Sequence, residues 1–201
     1  MADKFEVIQL HLPYYLTQDQ KNFLIKELEQ FPRPIQYYVS WPEGDQLQGD
    51  GWTRIDVIDF ASSARKKIRA IVLSNTCDID PSNERHLPQR ITFAPLIKLS
   101  AYIDLLRKND LDEKVIDQKV NAIKEQRVSA IFYLPKGEKL TEDYIAVMDD
   151  VHSIPLSVFL GEKEKTKLFT LSQVGFYLFV LKLSVHFCRL HEGVARFVRA
   201  P

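Results

Sequence analysis

Ala70-Ile71-Val72-Leu73-Ser74-Asn75 and Ile91-Thr92-Phe93-Ala94-Pro95-Leu96-Ile97 are the stretches that decide the fold. Both are rich in β-branched, aromatic or other apolar side chains and lie among polar or turn-forming residues, the pattern of a buried strand. Upstream, Thr53 to Phe60 alternates apolar and polar positions, the period of a half-buried strand. Ala61-Ser62-Ser63-Ala64 reads as a turn, and the basic run Arg65-Lys66-Lys67 follows it into the second strand, Lys67 to Ser74. Together with an opening Gly49-Asp50-Gly51-Trp52, these strands predict a small curled β-barrel with a cationic rim.

Outward from that centre, the pattern is mixed α+β. Residues 5–10 alternate loosely as a short strand. Thr17 and Gln20 make a capping box before Phe23, Leu24, Ile25 and Leu28, predicting a helix from about 18 to 30 that Pro32 and Pro34 end. Residues 32–51 read as a linker, so the chain divides into an N-terminal helix and arm, 1–48, and a barrel domain, 49–201. Within the latter, residues 76–89 are a long polar loop and Arg90 to Leu99 the third strand. A helical insertion at about 100–126 has Ser100 and Asp110 as expected caps, with Val115, Ile116, Val120 and Ile123 at helical spacing. Strands are expected again at 128–134 and 144–148, and residues 161–167 as a solvated loop. Thr170 and Gln173 then form a capping box opening a helix to about 190. That helix is apolar nearly all round, which predicts one face on the barrel and the other on a second copy, hence a homodimer.

The chain has 201 residues, 45% hydrophobic and 27% charged, enough to bury a core without a metal or a disulfide. Lysine plus arginine number 27 and aspartate plus glutamate 27, so the formal net charge is zero. A molecule-wide field for polyanions is thereby excluded, and nucleic acid would need a local patch. Cys77 and Cys188 suit a reducing cytoplasm better than a disulfide scaffold. The charged start lacks the apolar core of a signal peptide, and the run Phe176 to Leu181 is too short to span a bilayer. A cytoplasmic protein without membrane span or cofactor is expected. No Gly-rich phosphate loop, Ser-centred elbow or dinucleotide fingerprint is present.

The order of elements resembles the MazF/PemK family of toxin endoribonucleases. Gly49-Asp50-Gly51-Trp52 is similar to that family's opening strand, and Lys67 to Asn75 to its second, with Ala70 where proline is usual. Phe93-Ala94-Pro95-Leu96 is similar to its third strand, and Val147 to Ile154 to its late strand and turn. The likeness covers about 49–98 and 144–190. It implies an SH3-like barrel, a dimer, metal-independent cleavage of single-stranded RNA and restraint by an antitoxin. It also implies Arg69 as the catalytic arginine and Asp149 as an acidic partner. The chain departs from the pattern at Lys98, where a hydroxyl is expected, and at Val147 and His152, where arginines are common.

Arg65, Lys66, Lys67 and Arg69 form a cluster suited to a phosphate backbone, with Trp52 or Phe60 placed to stack a base. The same cluster equally suits a solvated hairpin tip. Cleavage through a ribose 2′-hydroxyl needs an acid/base and a cation, roles open to His152, Asp149 and Arg69 if the fold gathers them. Asp149 and His152 equally suit the end of a strand and its turn. Cys77 reads as a packed thiol, the acids of 76–84 lack calcium-loop spacing, and His186, Cys188 and His191 do not share one helix face. Two functions are therefore expected in competition: single-stranded RNA binding with possible cleavage, and a non-catalytic protein-interaction module on the same barrel.

Overall fold

A computed structural model describes residues 17–29, 35–59, 61–83 and 85–187. The expected strand at 5–10, the prolines at 32 and 34, Phe60, and everything beyond 187 lie outside the described residues. The helices are α1 (Gln18–Glu29), α2 (Leu99–Lys108), α3 (Glu113–Lys124), α4 (Leu156–Gly161) and α5 (Gln173–Phe187). The strands are β1 (Tyr38–Val39), β2 (Gly51–Ile58), β3 (Arg65–Val72), β4 (Arg90–Lys98), β5 (Ile131–Leu134), β6 (Tyr144–Val147), β7 (His152–Pro155) and β8 (Lys167–Leu171). They form one antiparallel sheet in the order β1-β8-β2-β3-β4-β6-β5, with β7 also on β4. The sheet curls as a half-barrel, and no strand pairing joins β2 to β7.

β4 is the hinge of this arrangement. Its first half, Arg90 to Phe93, pairs with β7, and its second, Leu96 to Lys98, pairs with β6. Pro95 sits between the two partners. The Thr92 carbonyl accepts from Leu73 on the β3 side, so alternation turns the Pro95 nitrogen toward the opposite edge. There β7 has ended and β6 has not begun, so the missing N–H breaks no ladder bond, which is how proline fits a central strand.

The sheet has a core on each face. Ile71, Ala94, Leu96, Phe132, Ala146 and Phe169 pack on one face with Phe179 of α5. Trp52, Ile55, Val57, Ala70, Val72, Ile91 and Phe93 pack on the other, inside the curl, with Leu156 and Phe159 of α4. Strand alternation explains the split of Ala70, Ile71 and Val72 between them. A third cluster joins Leu99 and Ile123 of the inserted helices to Ile145. Each fully buried large aliphatic or Phe side chain stabilises by about 1.5–3 kcal/mol.

Several expectations need correction. Residues 167–171 are a strand, buried at every position, where a loop and then a helix start were expected. Thr170 is no cap: its hydroxyl donates to Asp50, and Ser172 takes its place by accepting from the Gly175 N–H at 3.1 Å. Ser100 and Asp110 are displaced likewise. α2 starts after Lys98 without a side-chain cap, and Asp112 caps α3. The described part of the arm is built into the sheet: β1 pairs with β8, and Tyr37 and Tyr38 lie in the first core.

Candidate functional site

Strand register places the sequence-derived residues. Val72 pairs with Phe93 and Phe93 with His152. The His152 ring stacks on Phe93 with centroids 5.8 Å apart, so it belongs to the inner face of the curl. Arg69 lies an odd step from Val72 and points to the other face. Its guanidinium sits 5.9 Å from the centroid of the Tyr144 ring, a member of the first core. Asp149 belongs to neither: its carboxylate is exposed and meets Nε2 of His186 on α5 at 3.1 Å. The neighbour Asp150 holds His152 instead, Oδ1 to Nε2 at 2.9 Å. Arg69, Asp149 and His152 are thus not brought together.

Of the expected RNA-binding residues, Arg65, Lys66 and Lys67 open β3 together, while Trp52 is buried away from solvent. Trp52 is 3% exposed, edge-on to Phe159 at 5.5 Å, with the Lys167 ammonium 5.3 Å from its ring. A ring held this way offers no stacking surface. Lys66 is paired with Asp59, and Lys67 with Glu162 and, at 3.5 Å, with Asp56. Hydrogen bonds from Lys66 and from the Ser62 N–H lower the Asp59 carboxyl to about 2, the sign of a locally closed turn. Arg65 has no ion pair with a described residue.

Arg65 does share a site with His152. The open seam between β2 and β7 forms a groove of about 330 Å³, lined by Asp56, Val57, Ile58, Arg65, residues 151–155 and Val158. Val57 and Ile154 connect its floor to the inner core. Ile58, Val151 and Val158 are 51%, 42% and 44% exposed, a concentration of branched apolar side chains in one concavity. Mostly apolar walls with a few convergent polar groups are the usual make-up of a binding site.

The free edge of β7 within that groove is guarded. The Leu156 N–H donates to the Gln89 carbonyl, so alternation turns the backbones of Ser153 and Pro155 toward the seam. Pro155 has no N–H, and the Arg90 guanidinium donates to the Ser153 carbonyl at 2.7 Å. Both features blunt an edge against strand addition.

Elsewhere, buried polar groups serve the fold. Asp50 is fully buried and accepts from the Leu47 N–H at 2.9 Å, from Thr170 Oγ1 at 2.7 Å and from Lys167 Nζ at 3.0 Å. Burial pushes its carboxyl pKa up, and these bonds act against that rise. Among the described residues no group of three His, Cys, Asp or Glu side chains is placed to hold a metal. No described helix is long and apolar enough to cross a membrane.

The groove was missed from sequence because β7 is short, ends in proline and follows a polar turn. The apolar residues Ile58, Val151 and Val158, each next to charged or polar neighbours, were its only visible signal. No protein-family model matches the chain, and no curated protein matches it.

Proposed function

We propose that the protein is a non-catalytic interaction module, a curled-sheet scaffold that docks a segment of another protein in the seam between β2 and β7. The observation that carries this is the cluster of exposed Ile58, Val151 and Val158 in one groove. Lys66 and Lys67 are engaged by carboxylates, Trp52 is buried, and the three residues proposed for cleavage are apart, so the features favouring RNA chemistry are weakened. The order and curl of β2, β3 and β4 support an SH3-like scaffold of the MazF/PemK kind as part of the same proposal. Selection from a displayed random-peptide library tests it. Enriched peptides that protect residues 56–58 and 151–158 from hydrogen exchange are expected, and an absence of enrichment overturns the proposal.

A second reading, single-stranded RNA binding, is favoured by one observation: Arg65 and His152 line the same groove. A labelled single-stranded RNA retained at low salt by the native chain and lost in Arg65→Ala would support it. No retention in either form rejects it.

A further inference from the structure

The chemistry of the groove also specifies its occupant, an inference that rests on the docking proposal above. We infer that the groove takes an extended acidic segment. An apolar side chain seats among Ile58, Val151 and Val158, a neighbouring carboxylate meets Arg65, and the contact is made through side chains without strand addition.

Three observations lead there. The first is charge. Asp56 lies 3.5 Å from Lys67, which it shares with Glu162, and Asp150, beside the groove, is hydrogen-bonded to His152 at 2.9 Å. Arg65 is the lining charge with no ion pair to a described residue, and its fork geometry suits a carboxylate. The second is the edge. Pro155 and the Arg90-capped Ser153 carbonyl leave β7 with too few free backbone groups to carry a ladder, so on that wall affinity must come from side chains. The third is the wall. Among the described residues no Trp, Tyr or Phe lines the groove, so these offer a nucleobase no large aromatic platform, whereas an aliphatic side chain would find its like.

Fluorescence anisotropy with three short labelled peptides tests this. One alternates leucine with glutamate, the second replaces glutamate by lysine, and the third is the acidic peptide N-methylated at alternate amides. The acidic peptide should bind at least about tenfold more tightly than the lysine peptide. Arg65→Glu should reverse that order, Val158→Asp should weaken the acidic peptide about tenfold, and N-methylation should change its Kd by less than about threefold. Arg65 and Val158 are exposed, so both variants should fold, with circular dichroism as the check. Equal binding of the two charge types, or loss of binding on N-methylation, overturns the inference while leaving peptide docking in place. Binding of a single-stranded RNA with none of the peptides bound overturns the docking proposal itself.

Discussion

Replacing Lys182 by methionine should stabilise the protein. Lys182 is 7% exposed on α5, and its ammonium donates to the backbone carbonyl of Gln126, with no carboxylate partner among the described residues. Burial lowers its pKa from 10.5 to about 8. At about 1.36 kcal/mol per pH unit, that drop is a cost of about 3 kcal/mol for holding the charge at neutral pH. Methionine keeps the stem's packing and removes the charge, but leaves the Gln126 carbonyl without this donor, a loss of about 1–2 kcal/mol. The net gain is about 1–2 kcal/mol, or about 2–8 °C in Tm for a chain of this size. The sign with pH follows from linkage. The folded pKa lies below the unfolded one, so the unfolded chain binds the proton more tightly and stability rises from about pH 8 toward 10. Tyr37 shares Gln126 with Lys182, and Tyr133 is bonded to it through its backbone. Burial raises the hydroxyl pKa of both and of Tyr38, so their contribution is lost only above about pH 10. Urea unfolding of both proteins between about pH 7 and 10 is the assay. A native protein whose stability does not rise in that window, or a Lys182→Met variant less stable than native at neutral pH, refutes the reasoning.

Other perturbations separate the fold from the groove. In Gly51→Ala the new Cβ would stand 2.2 Å from the Phe169 ring, inside the first core, and urea unfolding should show a loss of about 2–3 kcal/mol. Lys167→Met strands the Asp50 carboxylate, 0% exposed, and should cost about 3–5 kcal/mol. Adding Asp50→Asn should recover part of that loss in the same assay. Arg69→Ala removes a side chain on the face opposite the groove, so peptide affinity by anisotropy should stay within about twofold of native.

The β2–β3–β4 sheet was legible because Ile55, Ile71 and Phe93 recur on strand periods between clear turns. The insertion was legible as helices because Ile116 and Ile123 repeat at helical spacing, though its caps were assigned to the wrong residues. β8 was not legible: Lys167 and Thr170 look solvated in sequence, and they are buried only because Asp50, over a hundred residues away, meets both. The site failed for a related reason. Arg69 and His152 are assigned to faces by register through β4, which no local pattern encodes. Asp149 and Asp150 are neighbours in sequence, yet one reaches α5 and the other holds His152.

Methyl chemical-shift mapping with the acidic leucine peptide tests the central claim most directly. Shifts confined to Ile58, Val151, Ile154 and Val158, with the α5 methyls of Leu181 and Val185 unmoved, are the predicted result. Shifts centred on Leu181 and Val185, with those of the seam unmoved, would contradict it.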